Sequence, residues 1–155
     1  MERDQDTTAV TVREMLDSTL ETVAHIEAVA VEIARRVGFR GVSLDHISLA
    51  THETITNAVV HGNRYRTEKK VFVAISITQD RFKITIADEG DGFDPMTLPD
   101  PLAPERLSEG SGRGVYLSRA SMDEYHVRSR DAGGAEVTLV KYLCPQVSNP
   151  SARKS

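Results

Sequence analysis

The chain of 155 residues contains one cysteine, Cys144, no tryptophan, and only 5% aromatic residues. A single cysteine cannot form an internal disulfide, which excludes a disulfide-stapled fold and suits a reducing compartment. Because aromatic rings are few, the core must be built mainly from Val, Ile, Leu and Ala. Hydrophobic residues make up 39% and charged residues 27% of the chain, a balance typical of a globular domain and not of a disordered one.

An excess of positive charge is also missing, since 19 Lys and Arg face 23 Asp and Glu, for a formal net charge of -4. A protein that binds nucleic acid by neutralising phosphates usually carries a basic excess or stripe. No apolar run approaches the roughly 20 residues of a membrane helix, and the first six residues lack the apolar core of a signal peptide. We therefore expect a cytoplasmic protein that contacts neither nucleic acid nor membrane directly.

Apolar residues at helical spacing predict a helix over 20–37, with Gly38 as its stop. A second helix is expected to begin after Ser43 as N-cap and to end at Gly62 and Asn63, which tolerate left-handed backbone angles. A third is expected over about 115–122. Runs rich in β-branched residues predict five strands, at 8–12, 71–77, 82–87, 125–130 and 135–143. This order predicts a mixed sheet with helices packed on one face.

A long irregular segment follows the third predicted strand. From Asp88 to Gly114 the chain is rich in glycine and proline and has little periodicity. Connections of this length are typical of functional lids or binding loops. No linker divides the rest of the chain, so we expect one domain over 8–143, with flexible termini at 1–7 and 144–155.

Three polar residues of the second predicted helix, Glu53, Asn57 and His61, are spaced i, i+4 and i+8 and so share one stripe. A solvated helix face would show the same spacing, and a packing or capping role for His61 is favoured over chemistry. Thr56 stands where a zinc protease motif needs its second histidine, which disfavours a zinc site. An Asn57 side-chain oxygen can bind magnesium, and Glu53 one turn earlier can accept a proton.

Two glycine clusters favour a chemical function for this stripe. In residues 88–93, Asp88 at a strand end can accept a hydrogen bond from the exocyclic amine of adenine, and the glycines let the backbone approach a base or sugar. In residues 110–114, glycines before a helix expose backbone N–H groups to phosphates. Together with Glu53 and Asn57 the clusters predict a nucleotide pocket.

In this combination the chain resembles a known superfamily. Residues 53–62, Glu-Thr-Ile-Thr-Asn-Ala-Val-Val-His-Gly, resemble the N box of the gyrase, histidine kinase and MutL type ATPases. Residues 88–93 and 110–114 resemble their first and second glycine boxes. Within that group the chain looks most like the small anti-sigma factors with serine-protein kinase activity, on the strength of residues 56–62, Met122-Asp123-Glu124 and the compact length.

The resemblance implies an α/β (α+β) two-layer sandwich of the Bergerat ATP-binding type, with a mixed, mostly antiparallel sheet, helices on one face and a lid between the glycine boxes. It implies ATP with Mg²⁺ as cofactors, Asn57 as the Mg²⁺ ligand, Glu53 as general base and Asp88 as the adenine reader. The remaining nucleotide-binding positions would be Gly90, Gly92, Gly110, Gly112, Arg113 and Gly114. Such proteins are typically homodimers that bind a sigma factor and phosphorylate a serine of an anti-sigma antagonist protein.

Two positions qualify the resemblance. Many relatives carry Gly-Thr-Thr in the last strand, where a threonine supports the adenine site, but this chain has Gly134-Ala135-Glu136. Arg113 either holds phosphates or faces solvent. Two alternative functions remain: a non-catalytic module that uses ATP to gate protein binding, and a detached histidine-kinase catalytic domain. The second is disfavoured because the 52 residues before Glu53 are too few for a helical hairpin plus the first layer.

Overall fold

Five strands and two α-helices make up the part of the computed structural model that can be described, residues 10–78, 80–90 and 120–143. A π-helical segment continues the second helix without a break. The elements are β1 (Val10–Asp17), α1 (Leu20–Val37), α2 (Gly41–Thr56), the π-helical segment (Asn57–Gly62), β2 (Lys70–Thr78), β3 (Arg81–Ala87), β4 (Glu124–Ser129) and β5 (Ala135–Tyr142). The predicted flexible termini lie outside the described residues, and so does the long segment of the predicted lid, except for residues 88–90.

The strands form one sheet in the order β1-β2-β3-β5-β4. Every pairing between them is antiparallel in the described residues. Alternate residues point to opposite faces of a strand, and the buried set of β2 and β3 faces the helices. Its members are Val71, Val73, Ile75, Phe82, Ile84 and Ile86. The predicted two-layer sandwich, with helices against one face of the sheet, is confirmed.

Helix α1 has the bounds that its apolar spacing predicts. Thr19 caps its first turn, since its hydroxyl accepts the N–H of Thr22 at 3.2 Å. Gly38 ends it with φ +125°, and its N–H donates to the carbonyls of Ala34 and Arg35. The buried face of the helix carries Val23, Ile26, Ala30 and Ala34.

The start of α2 differs from the prediction. The helix begins at Gly41, and the residue before it, Arg40, is extended and makes no side-chain cap bond. Ser43 is therefore inside the first turn, and the predicted N-cap is wrong. The cause is Phe39, which is only 1% exposed and packs edge-on against Phe82 with ring centroids 6.4 Å apart. Burying this ring turns the chain into the next helix three residues early.

The end of α2 lies where the sequence predicts it, but its geometry is different. From Asn57 the helix widens to i→i+5 bonding, as in the 2.8 Å bond from the Asn63 N–H to the Ala58 carbonyl. Asn63 is right-handed, with φ -85°. The left-handed residues are Arg64 and Tyr65, at φ 54° and 59°. The expected left-handed helix end at Gly62 and Asn63 is thus wrong, because the left-handed backbone angles occur two residues later, at Arg64 and Tyr65.

The strand predictions agree with the structure to within a residue or two, except for β1. That strand continues to Asp17, five residues beyond its predicted end, because it pairs along its whole length with β2 up to Asp17 opposite Lys70. The turn between β4 and β5 uses Gly133 and Gly134, with φ +103° and +95°. Of the helix predicted over 115–122, only 120–121 is described, and it is helical. The described residues include no helix long and apolar enough to cross a membrane.

Candidate functional site

Helix α2 carries Glu53 and Asn57 one turn apart, and the N–H of Asn57 donates to the carbonyl of Glu53. Both side chains are half-buried at the border of the core, whereas His61 is exposed. The neighbouring residues Thr54, Ile55 and Ala58 are buried and anchor the helix on the core. The predicted stripe therefore divides into a half-buried pair and one solvated histidine.

The π-helical segment begins at Asn57 itself. Single π-turns inside α-helices are rare and recur at functional sites, because they shift side chains out of the regular α-helical register. Here the wide turn carries the chain from Asn57 to Gly62 and brings Gly62 against the end of β3. The change of helix type thus falls between the two parts of the predicted nucleotide site.

Asp88 directly follows β3 and is 5% exposed. Its Oδ1 accepts the N–H of Gly90 at 2.9 Å and that of Ala135 at 3.3 Å. Oδ2 accepts no hydrogen bond from any described residue. Burial raises the pKa of this carboxyl, while the two N–H groups and the guanidinium of Arg130 act to lower it. The site therefore holds a desolvated carboxylate that has one oxygen available for a ligand's donor.

Three glycines surround Asp88, and each is excluded from carrying a side chain. A Cβ on Gly62 would lie 2.5 Å from Cγ of Asp88, and one on Gly134 would lie 2.0 Å from the Asp88 carbonyl oxygen. A Cβ on Gly90 would lie 1.9 Å from the carbonyl oxygen of Gly62. The sequence predicts Gly90 as a pocket residue. It predicts Gly62 as a helix end and as the last residue of the N box, and Gly134 only as part of a turn, so their packing around Asp88 is visible only in the fold.

A backbone hydrogen bond supports Asp88 at the position where a threonine was expected from the resemblance. Ala135 stands where many relatives carry a threonine, and its N–H donates to Asp88 Oδ1. The carbonyl of Ala135 in turn accepts the N–H of Asp88 at 3.0 Å. The Asp88 side chain is therefore supported at this point by β5 without a hydroxyl group.

Two further side chains that the sequence does not single out contact residues 88–89. Asn63 accepts the N–H of Glu89, and Arg130 donates to the carbonyl of Asp88. The asparagine directly after a helix-ending glycine is the only sequence signal for the first contact. Nothing local marks Arg130, because it lies 42 positions from Asp88.

The described structure brings together one half of the predicted site. It places the end of the N box, at Gly62, against Asp88 and Gly90 of the first glycine box. Gly92, Gly110, Gly112, Arg113 and Gly114 lie outside the described residues. Their assignment to the phosphate side of the pocket stays a prediction.

A separate depression of about 410 Å³ lies on the face of the sheet away from the helices. The lining includes Arg13, Met15, Phe72, Ala74, Thr85, Ala87 and Glu136. Met15 is 65% exposed. This open face is a different surface from the site around Asp88, which is built against Gly62 on the helix side.

A family model of the histidine kinase-like ATPase domain matches residues 16–141. The chain belongs to this family. It is 33% identical over 130 residues to the serine-protein kinase RsbW of Bacillus subtilis, which covers 79% of each chain. It is also 33% identical over 102 residues to the anti-sigma F factor of Bacillus thuringiensis, which covers 64% of this chain and 70% of that protein.

Solved structures support the fold. The RsbU and RsbW domains of a Mycobacterium tuberculosis protein superpose with a TM-score of 0.62 at 19% identity over 86% of this chain. The match spans only 32% of that longer chain. A blue-light activated histidine kinase of Erythrobacter litoralis superposes with a TM-score of 0.54 at 21% identity, over 81% of this chain and 42% of that one. The predicted Bergerat-type fold is confirmed, and membership of this ATPase family implies that the chain uses ATP.

Proposed function

We propose that this protein is an ATP-dependent anti-sigma factor with serine-protein kinase activity, which binds a sigma factor and phosphorylates a serine of an anti-sigma antagonist protein. Relatives that match most of the chain bear the names serine-protein kinase RsbW and anti-sigma F factor. The observation that carries the proposal is the contact of Gly62 with Asp88. It joins the helix that bears Glu53 and Asn57 to the carboxylate proposed to read the base.

Asp88 fits the adenine end of ATP. Its Oδ1 is occupied by two backbone N–H groups, so Oδ2 is the acceptor that faces a donor such as the exocyclic amine of adenine. A nucleotide with a carbonyl at that position would place acceptor against acceptor. A buried polar group left unpaired in this way costs about 1–3 kcal/mol. The site should therefore prefer adenine over guanine.

Asn57 and Glu53 fit the phosphate end. The amide oxygen of Asn57 is a hard ligand of the type Mg²⁺ accepts beside phosphate and water oxygens. When bound, Mg-ATP supplies the phosphoryl group together with the positive charge that stabilises its transfer. Glu53, one turn before Asn57 and half-buried, orients the attacking serine hydroxyl and holds its proton on the carboxylate.

The remaining predicted positions complete the pocket in this proposal. Gly92 lets the backbone approach the sugar, and the second glycine box offers backbone N–H groups to the phosphates. Arg113 adds a positive charge beside those phosphates. The second-box positions are Gly110, Gly112 and Gly114.

The proposal also includes a cytoplasmic homodimer. The open face of the sheet presents an exposed Met15 beside Phe72 and a depression of about 410 Å³, a surface that a second copy could cover. Sedimentation equilibrium of wild type and Met15→Asp tests this part. A dimer that Met15→Asp converts to monomer supports it, and a wild-type monomer at all concentrations contradicts it.

The function itself is tested by phosphoryl transfer. The purified chain is incubated with γ-labelled ATP, magnesium and proteins that co-purify with it from its native cell. We expect label on a serine, which resists acid and is lost in alkali. ATP-dependent retention of a partner without label would instead indicate a non-catalytic binding module, and acid-labile label would indicate a histidine kinase.

A further inference from the structure

The peptide bond between Asp88 and Glu89 is held at both ends by side chains from distant parts of the chain. Its carbonyl oxygen accepts a hydrogen bond from Nη1 of Arg130 at 2.7 Å. Its N–H donates to Oδ1 of Asn63 at 2.8 Å. This peptide lies just past the end of β3, where ladder bonds to neighbouring strands stop. Two side chains thus replace the strand partners that the peptide lacks.

Asn63 is itself fixed in one orientation. It is 1% exposed, and its Nδ2 donates to Oγ of Ser18 at 2.8 Å and to the carbonyl of Lys70 at 3.0 Å. Turning the amide over would place its Nδ2 against the N–H of Glu89 and its oxygen against the Lys70 carbonyl. Its backbone N–H is tied to Ala58 in the π-helical segment. Asn63 therefore transmits the position of the N box helix to residue 89.

Residue 89 has a second tie to the same region. Oε1 of Glu89 accepts the N–H of Lys70 at 2.7 Å, and Oγ of Ser18 donates to the carbonyl of Lys69 at 2.6 Å. The start of β2, the end of β1 and the residue after Asp88 therefore share one network that centres on Asn63.

Arg130 is held as firmly on the other side. Its Nη1 also donates to the carbonyl of Gly133 at 3.1 Å, and its Cζ lies 5.2 Å from the ring centroid of Phe72, within the range of a cation–π contact. Its backbone N–H donates to the carbonyl of Gly134 at 2.9 Å. Arg130 thus connects the turn between β4 and β5 to the carbonyl of Asp88.

The orientation of this peptide decides where the Asp88 carboxylate points. The N–H of Gly90, the next residue along, holds Oδ1 of Asp88 in a short turn. If the 88–89 peptide rotated, that N–H would move away, and Oδ2 would leave the position it has now. A carboxylate that reads one amine depends on such a fixed direction, because hydrogen bonds weaken steeply when their angle is lost.

We propose that Asn63 and Arg130 are positioning residues for adenine recognition, which hold the two ends of the Asp88–Glu89 peptide and thereby aim Oδ2 of Asp88 at the exocyclic amine. Neither residue touches the nucleotide in this proposal. The inference rests on the proposed role of Asp88 as adenine reader, and the test separates the two.

The test is base discrimination in the full chain. Dissociation constants are measured with magnesium for ATP and for purine riboside triphosphate, which lacks the exocyclic amine. The dissociation constant for purine riboside triphosphate divided by that for ATP is the discrimination ratio, and it reports the amine contact alone. We expect Asn63→Ala and Arg130→Met to lower this ratio by about fivefold or more, because a hydrogen bond to a charged acceptor is lost or misaligned. Arg130→Lys, which keeps one donor, should retain part of it.

Arg128→Met is the matched control. Arg128 lies on β4, two residues before Arg130, is exposed and pairs with Glu136, so its removal takes away the same charge without touching residues 88–89. We expect its ratio to equal that of the wild type. Thermal unfolding identifies any variant that does not fold, and if Asn63→Ala fails, Arg130→Met and Arg130→Lys decide the question.

Asp88→Asn separates the inference from the proposed function. If wild type does not discriminate, or if Asp88→Asn keeps the wild-type ratio, Asp88 does not read the amine and the proposed adenine site is wrong. If Asp88→Asn removes discrimination while the Asn63 and Arg130 variants keep it, the positioning roles are wrong. An equal loss of affinity for both nucleotides, at an unchanged ratio, likewise shows a merely structural role and overturns the inference.

Discussion

Gly62 and Asp88 lie in contact: a Cβ on Gly62 would be 2.5 Å from the Asp88 carboxyl carbon. Gly62 ends the π-helical segment and Asp88 follows β3, so this contact joins the two predicted boxes of the nucleotide site. The carboxylate has no room to retreat, since two backbone N–H groups hold its Oδ1. The contact therefore couples the shape of the helix end to the direction of the carboxylate.

Gly62→Ala should weaken ATP binding by about tenfold or more and also lower the free energy of unfolding, because the new Cβ would lie 2.5 Å from the Asp88 carboxyl carbon. The added methyl displaces the Asp88 carboxylate, but alanine is about 1 kcal/mol better than glycine in a helix, which offsets part of the strain. Calorimetric titration with ATP and urea unfolding measure the two effects. Wild-type affinity in a folded variant would show that the carboxylate can move without loss of binding.

Gly134→Ala should destabilise the fold much more than Gly41→Ala. Both glycines have positive φ, +95° and +58°, and a left-handed alanine costs about 1–2 kcal/mol. At Gly134 the new Cβ would also meet the Asp88 carbonyl oxygen at 2.0 Å, whereas at Gly41 no atom lies within 4 Å. Urea unfolding compares the two. Equal losses of unfolding free energy would contradict the close backbone approach at Gly134.

The pH dependence of stability should reveal Asp88. Burial raises its pKa above the ordinary 3.8, so the folded state binds this proton more tightly than the unfolded state. The contribution of this carboxyl to the free energy of unfolding of the wild type is therefore fully present below pH 3.8 and is lost as pH rises through the raised pKa. In Asp88→Asn this contribution is not lost. Without nucleotide, the free energy of unfolding of the variant relative to that of the wild type should therefore rise with pH and then level off.

Urea unfolding from pH 3 to 8 measures this difference. Among the described residues, the guanidinium of Arg130, which donates to the Asp88 carbonyl, acts electrostatically on this carboxyl. Arg130 is present in both the wild type and the variant, so the two curves differ only through the substitution at residue 88. A difference that does not change with pH would contradict the raised pKa.

Glu53→Gln should lower the rate of phosphoryl transfer by about 100-fold or more, the usual contribution of a general base. The ATP dissociation constant should change by less than about twofold, because the proposed role concerns the attacking hydroxyl and not the nucleotide. Glu32→Gln, at an exposed position of α1, is the matched control and should transfer phosphate at the wild-type rate. A Glu53→Gln variant that does the same is incompatible with the proposed base.

Asn57→Ala should make ATP binding insensitive to magnesium. We expect a loss of about tenfold in affinity with magnesium and no change in the presence of EDTA, because only the metal ligand is removed. His61→Ala, one turn further along and exposed, is the control. If magnesium strengthens binding equally in wild type and Asn57→Ala, the metal ligand lies elsewhere.

Local patterns determined much of the fold. Helix α1 has its predicted bounds because its apolar spacing, the Thr19 cap and the Gly38 stop each act on residues close to them in the chain. Strands β2 and β3 agree within one residue for the same reason. The three boxes were sufficient to predict the ATPase family, since each consists of residues close together in the chain.

Distant contacts decided the rest. Burial of Phe39 against Phe82 moved the start of α2, and pairing with β2 extended β1 to Asp17. The sequence marks Asp88 and Gly90 but does not identify Gly134, Asn63 and Arg130 as neighbours of residues 88–89. These groups meet only because the sheet order places β5 beside β3 and the π-helical segment ends at Gly62. Propensity acts between neighbours in the chain, whereas close packing selects residues by their distance in space.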